Sequence, residues 1–408
     1  MAEYRQRLNP ALIRRLNVAR VFHALRLAGA ASQSELVRTT GLDPATVSTV
    51  VRQLRDEGWL TTTTAPSSGR SGRPPTLLTI DRDAGILIGA RLEPELVRVL
   101  ATTLAGETRA DWQGRPGRSA ADALDTLSTG VEALLTQLGL TWRDVKAVGV
   151  GVPALMSHAG RVAYGPNLRW RDVPLQVRLD ERWSVPVAVD NDSSAAALAE
   201  KLFGEAREAR DFVVIAGHSG IGGALYLGGR LYRGHGGYAG EIGHVRVEPE
   251  GRRCGCGDRG CLEAYLAERA LVAQLRERGR RLRGYEAIAA AALAGDAEVL
   301  TLLDEVGERL GRVIADLIDV LDPELVVLAG ALSHVVPWLL PAIERVEGTE
   351  ALRAYRGRCR VKASTLGTEA VTMGGVGLAM EAVLSLPSWL VDQEGLLAAP
   401  GREPTRRA

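Results

Sequence analysis

The chain has 408 residues, 46% of them hydrophobic and 24% charged, with a formal net charge of +1. That length exceeds one ordinary domain, and the balance suits a globular chain of two or three domains. No apolar run is long enough to cross a bilayer, and the polar, charged start from Met1 to Pro10 lacks the apolar centre of a secretory leader, so the expected location is the cytoplasm.

The near-neutral total conceals an asymmetry. Residues 1–80 hold eleven arginines against five acidic residues, which leaves the remainder weakly acidic. A basic end on an acidic body suits a nucleic-acid-binding arm joined to a sensor, although a solvated basic face would give the same count. From Leu12 to about Ala28 the apolar residues keep helical spacing. Ser32-Gln-Ser-Glu35 is a capping box for a second helix, which ends at Gly41. Asp43 can cap a third helix, with Pro44 in its first turn.

In that third helix Val47, Val50, Val51 and Leu54 form the buried stripe. The other side carries Ala45, Thr46, Ser48, Thr49 and Arg52. Two short helices about a tight glycine turn are the helix-turn-helix layout, and small polar residues with one arginine can approach base edges closely. Ser34, at the start of the second helix, joins the candidate DNA contacts. A plain three-helix bundle is the alternative. Trp59–Thr64 and Thr76–Ile80 read as strands around a Gly/Arg/Pro tip that holds Arg70 and Arg73. Such a tip is a wing suited to phosphates or a narrow minor groove, or else a linker.

Beyond Gly85, strands and helices alternate, which gives an α/β body. Ile86–Ala90 and Leu96–Leu100 suggest a hairpin broken at Pro94, and Val145–Val152 is a buried strand. A short strand over 185–189 leads to Asp190-Asn191-Asp192, and a helix is expected from Ser194 to Phe203. Polar groups at the carboxyl end of such a strand can bind a ligand; Asp192 or Ser193 could equally cap the helix. Phe212–Tyr226 is a strand, a glycine-rich turn and a strand, without the following helix that a Walker loop or dinucleotide fingerprint needs.

His244, Cys254, Cys256 and Cys261 supply one imidazole and three thiols within a glycine-rich stretch. This set makes a closed tetrahedral site for structural Zn²⁺; buried thiols or a redox pair are the alternatives. Glu241 and Glu263 flank the ligands, and with Asp192 they could surround a polyhydroxylated molecule. A strand and glycine turn follow over 321–331, and Gly374–Met380 opens a small-residue helix.

These motifs resemble the ROK family of repressors, open reading frames and kinases, over roughly Leu16 to Ala382. The resemblance rests on the run from Gly222 to His244 and on Cys254-Gly-Cys-Gly-Asp-Arg-Gly-Cys-Leu-Glu263. The fused helix-turn-helix marks the regulator branch. The resemblance implies an actin-like, two-lobed sugar-kinase fold and sugar contacts from Asn191, Asp192, Glu241, His244 and Glu263. In kinase members the residue matching Asp192 is the catalytic base. Those members begin with an Asp-x-Gly-x-Thr phosphate loop, where this chain has Arg91-Leu-Glu-Pro-Glu95. An acidic, proline-containing turn there argues against ATP-dependent phosphorylation and for a non-enzyme. Ala154 stands where the family has glycine beside the sugar.

The expected organisation is a winged helix-turn-helix over 1–80, a small lobe over 81–195, a large lobe with the zinc site over 196–386 and a loose tail over 387–408. The expected function is a DNA-binding repressor of carbohydrate metabolism. Its expected partners are a palindromic operator, a sugar-like effector and further copies of itself, as a dimer or tetramer, with no membrane. The alternatives are a ROK-type sugar kinase and an effector-independent DNA binder.

Overall fold

A computed structural model describes residues 10–64, 76–117, 119–218, 220–347 and 358–384. Arg70, Arg73 and the expected tail over 387–408 lie outside the described residues. Among those that are described, no helix is long and apolar enough to cross a membrane.

The N-terminal unit contains α1 (Pro10–Ala28), α2 (Gln33–Thr40) and α3 (Pro44–Asp56), followed by β1 (Leu60–Thr64) and β2 (Thr76–Ile80). The capping residues act as the sequence suggests. Ser32 and Glu35 form the reciprocal box at α2, and Gly41 ends that helix in the left-handed conformation that costs glycine nothing. Asp43 accepts the amide of Thr46 and the Thr46 hydroxyl at the start of α3. Val47, Val50, Val51 and Leu54 are buried, while Ala45, Ser48, Thr49 and Arg52 are exposed. The two strands pair antiparallel from Leu60↔Ile80 to Thr64↔Thr76, and an Ala31–Leu78 bridge ties the hairpin to the turn before α2.

The body contains two five-stranded sheets of one topology. The first is built from β3 (Ile86–Leu92), β4 (Val97–Thr103), β5 (Thr108–Gly114), β6 (Val145–Val152) and β10 (Val187–Asn191), in the order β10-β6-β3-β4-β5. The second uses β11 (Phe212–Gly217), β12 (Ile221–Leu227), β13 (Arg230–Tyr232), β14 (Leu325–Gly330) and β15 (Arg360–Ala363), in the order β13-β12-β11-β14-β15. In each, an antiparallel meander is extended past its first strand by two parallel strands. A small sheet of β7 (Leu155–Met156), β8 (Val162–Gly165) and β9 (Trp170–Val173) hangs from the end of β6.

Helix α4 (Ala120–Leu138) covers the meander side of the first sheet. After α5 (Leu175–Asp180) the chain enters α6 (Asp192–Leu202), which packs beside both sheets. The second lobe carries α7 (Glu263–Leu266), α8 (Glu268–Glu277), α9 (Gly284–Leu293), α10 (Ala297–Leu321) and α11 (Val336–Glu347). The last helix, α12 (Ala370–Val383), returns to the first sheet and to α6.

Glycines make that return possible. A Cβ on Gly149 of β6 would fall on the carbonyl oxygen of Gly375, and one on Gly375 would sit 2.6 Å from the amide nitrogen of Ala90. Backbone therefore meets backbone across the helix–sheet contact. The boundary expected at 195/196 falls inside α6, and α12, from the second segment, lies on the first sheet for this reason.

Gly149→Ala forces a methyl group against backbone that cannot rotate away. Overpacking of this kind costs about 1–3 kcal/mol, and backbone atoms that cannot yield put the cost at the upper end. The expected outcome is a large drop in the midpoint of urea unfolding, with Gly375→Ala behaving alike.

Candidate functional site

A cleft of about 540 Å³ opens between the two lobes. From the first lobe it receives the ends of β6 and β10 and the start of α6; from the second, the β11–β12 turn, the segment around Glu241 and the start of α7. Asn191, Asp192, Glu241, His244 and Glu263 all line it.

Asn191 is the actual cap of α6. Its Oδ1 accepts the amides of Ser193 and Ser194 at 2.9 and 3.3 Å, and its Nδ2 donates to the Ala154 carbonyl at 3.0 Å. The helix therefore starts two residues before the expected Ser194. Asp190 turns away from the cleft and pairs with Arg233, 2.7 Å from Nη2. Asp192 faces the cleft. Burial, reinforced by the nearby carboxylates of Glu93 and Glu241, pushes its carboxyl up to about 7 against the opposing hydrogen bonds of Ser193. Burial raises Glu241 in the same direction.

The glycine-rich turn makes room for site side chains. A Cβ on Gly220 would lie 2.5 Å from Glu263 Oε2, and one on Gly222 would meet the Ser193 hydroxyl. Glu263 Oε2 accepts the amide of Ile221 at 3.1 Å. Its Oε1 pairs with Arg269 at 2.5 Å, and Arg269 passes over Gly255, where no side chain blocks it. Sequence reading missed Arg269. It lies beyond the break at Ala267 between α7 and α8, so no helical period relates it to Glu263. Tyr164 and Asn167 also line the cleft and were not singled out; they come from the β8–β9 hairpin, which carries no motif-like spacing. Ala154 is buried at the cleft wall and packs on Gly165.

Beside the cleft, the ligand atoms of His244, Cys254, Cys256 and Cys261 all lie within 4.8 Å of one another. Cys254 Sγ is 3.7 Å from His244 Nδ1, and Cys256 Sγ is 3.7 Å from Cys261 Sγ. A tetrahedron with metal–sulfur bonds of about 2.3 Å has edges of about 3.8 Å. These four groups thus have the spacing and donor set to hold a metal ion. His244 turns Nδ1 to the thiols and Nε2 toward Glu241 Oε2, 3.9 Å away. Residues 245–262 form no helix or strand, only isolated bridges such as Arg246–Cys261. A metal would staple this long segment, and with it the approach to Glu263.

The Arg91–Glu95 stretch carries charged side chains close to Asp192. Arg91 is buried at the end of β3; its guanidinium donates to the Thr368 carbonyl at 2.9 Å and lies 3.5 Å from Glu93. The amide of Glu93 closes the β3–β4 turn onto the Leu96 carbonyl. His218, in the opposite turn, is held down to about 4 by burial and by the charge of Arg91.

A model of the ROK family matches residues 92–382, and one of the MarR family matches residues 15–71. The chain is 28% identical to a putative xylose repressor of Caldicellulosiruptor sp. (strain Rt8B.4), over 94% of this chain and 100% of that protein. It is 30% identical to the DNA-binding transcriptional dual regulator NagC of Escherichia coli (strain K12), over 92% of this chain and 95% of that one. Among solved structures, a ROK family transcriptional regulator, a homolog of the E. coli MLC protein, superposes with a TM-score of 0.79 at 27% identity, covering 94% of this chain and 99% of that one. A ROK family glucokinase from Streptomyces griseus, in complex with glucose and AMPPNP, gives a TM-score of 0.65 at 29% identity, covering 72% of this chain and 99% of the kinase.

The Asp192 carboxyl makes stability depend on pH. Raised to about 7 in the fold, it is protonated there while the unfolded chain, with an ordinary value of about 4, is ionised. Folding then takes up a proton, and stability falls as pH rises through that window. Asp192→Asn removes this loss. Its melting temperature relative to the parent chain should climb between about pH 4 and pH 7 and level off above, as read by thermal melts across that range.

Proposed function

The chain belongs to the ROK family, and from that premise we propose that it is a DNA-binding transcriptional repressor of carbohydrate metabolism, released by a sugar or sugar derivative bound in the interlobe cleft. The observation that carries this reading is one chain holding both an exposed reading helix and a polar cleft. Ala45, Ser48, Thr49 and Arg52 of α3 face solvent while the opposite stripe is buried. Thr46, half-buried, is bonded to Asp43 and would set the start of the helix in the groove. Ser34 is exposed at the start of α2, where it suits a phosphate contact. Arg70 and Arg73 complete the proposed DNA surface by sequence alone.

In the cleft, Asn191, Asp192, Glu241, His244 and Glu263 are the proposed effector contacts. The carboxylates and the free imidazole nitrogen would bind hydroxyl groups arrayed around a pyranose-sized ligand. We assign Zn²⁺ to His244, Cys254, Cys256 and Cys261. A closed site of this kind leaves no position open for substrate, so the ion would supply structural cohesion. Its effect on the ligand would be indirect: it would hold the His244 ring and bring Glu241 and Glu263 to the cleft.

Repression without phosphorylation fits the phosphate side of the cleft. Glu93 and the buried Arg91 fall in the stretch that matches the phosphate loop of the family's kinases, where backbone amides would have to cradle a triphosphate. A carboxylate in that place repels phosphate, and Arg91 already spends a donor on Thr368. The likeness to the regulator also runs over nearly the whole chain, whereas that to the glucokinase leaves more than a quarter of it uncovered. A homo-oligomer, dimer or tetramer, would present two reading heads to a palindromic operator. Effector binding would weaken DNA binding only to the extent that the ligand prefers the state with the heads misplaced.

Selection from random duplexes with the full chain should enrich a palindromic sequence, and a sugar among D-xylose, D-glucose and N-acetyl-D-glucosamine should weaken its binding in a gel shift. Arg52→Ala should lower duplex affinity by roughly tenfold, as expected for a lost base contact of about 1–3 kcal/mol. No enriched sequence would end the repressor reading, and ADP release coupled to any of these sugars would favour the kinase instead. For the metal, elemental analysis should give one zinc per chain and none in Cys256→Ser, with a lower melting temperature in the variant and in chelator-treated protein.

A further inference from the structure

We propose that Arg26 is the positioning residue through which the cleft controls the reading head, acting on the far end of helix α6. This inference rests on the repressor reading above. Helix α6 begins in the cleft: Asn191 caps it, and Asp192 is its first residue. Its eleven residues span about 16 Å. At the other end, the guanidinium of Arg26, from the last turn of α1, donates to the Leu202 carbonyl at 2.9 Å. The same group lies over the ring of Phe203, 5.1 Å from its centre. Arg26 thus satisfies a helix-end carbonyl, meets the negative end of the helix dipole and stacks on the next residue. One side chain of the DNA-binding unit grips the terminus of a helix that starts in the effector site.

The helix is built to move as a body. Residues from Ala195 to Leu202 are buried throughout. A Cβ on Gly374 of α12 would fall on the carbonyl of Ala195, and one on Gly377 would lie 2.9 Å from Leu198 and 3.0 Å from Leu202. Contacts this close leave α6 no freedom to slide against α12, so a displacement at Asp192 is carried along both helices. At the far end of α12, Val383 and Leu384 share a cavity wall with Pro10, Ala11, Val18 and Trp59 of the head. The apolar core of the head is also continuous with Leu198, Leu202, Val376 and Met380.

The two kinds of contact do different work. The apolar contact is non-directional and keeps the head attached. The Arg26 contact has a direction and a distance, so it fixes the angle at which α1, and the α3 packed on it, leave the body. Removing it should leave both binding sites intact and break the connection between them.

The test uses the full chain. In the first arm, duplexes enriched by selection are titrated with the chain by fluorescence anisotropy, with and without D-xylose, D-glucose and N-acetyl-D-glucosamine. In Arg26→Ala, duplex affinity and sugar affinity should each stay within about threefold of the parent, while the factor by which the sugar weakens duplex binding falls at least fivefold. Arg26→Lys, which can still reach the carbonyl, should restore part of that factor. An unchanged factor in Arg26→Ala overturns the proposal. The second arm needs neither operator nor sugar. Asn191→Ala removes the cap of α6, and hydrogen–deuterium exchange is followed at the amides of α1. Exchange there should quicken in the chain that has Arg26 and stay at its single-variant level when Arg26→Ala is also present. An equal effect of Asn191→Ala in both backgrounds overturns the proposal. A parent chain that selects no duplex or responds to no sugar defeats the repressor reading instead, and the second arm still decides the role of Arg26.

Discussion

The close contact of α12 with β6 and α6 is the constraint on which the rest of the molecule depends. Helix α12 is the last described element, yet it sits on the first sheet. It can do so only because Gly149, Gly374 and Gly375 let backbone atoms meet where side chains would stand. Two consequences follow. The chain is closed on itself, since the end of the second lobe is buried against the first. And α6 is held along its length, so its cap at Asn191 and its end at Leu202 keep a fixed separation. Both the position of Asp192 in the cleft and the grip of Arg26 on the helix end derive from that one contact.

The site shows the same economy of glycines. Gly220, Gly222 and Gly255 each leave a gap that a carboxylate, a hydroxyl or a guanidinium enters. The glycine-rich turn between β11 and β12 lines the cleft through Gly220, Ile221 and Gly222. In the fold one of its amides, that of Ile221, is taken by Glu263. The turn therefore presents an acid, backed by Arg269, where a phosphate loop would present free donors. Polar ligands that offer hydroxyl groups suit such a wall better than anions do.

Local signals were legible in the sequence because their physics is local. A serine with a glutamate three residues on, an aspartate before Pro44, and the four valine and leucine positions of α3 each determine their outcome within one or two helical turns. The Cys/His set was legible for a related reason: its spacing in the chain is short, and the fold brings its ligand atoms within 4.8 Å. Element ends were less so. Asn191, rather than Asp192 or Ser193, caps α6, because the strand-end geometry points its side chain at the amides of Ser193 and Ser194. What no local pattern could give is pairing across the chain. Arg26 and Leu202 are 176 residues apart, and Arg91 and Thr368 are 277 apart. Each arginine reads in sequence as one among many basic residues, and only the topology gives it a carbonyl to hold.

Those two arginines occupy comparable positions in the logic of the fold. Each is largely buried, and each donates to a main-chain carbonyl of a distant segment instead of resting in an ion pair alone. A guanidinium on a carbonyl is sensitive to geometry: its bond weakens steeply once the angle opens, whereas an ion pair at the same depth tolerates displacement. Arg91 ties β3 to the segment that leads into α12, and Arg26 ties α1 to the end of α6. Between them lie the two helices that touch at Gly374 and Gly377. A ligand that shifted the β11–β12 turn or the Glu241 segment relative to Asp192 would therefore act on a body anchored at both ends by directional bonds. Of the two bonds, the one at Arg26 is the one that meets the DNA-reading unit.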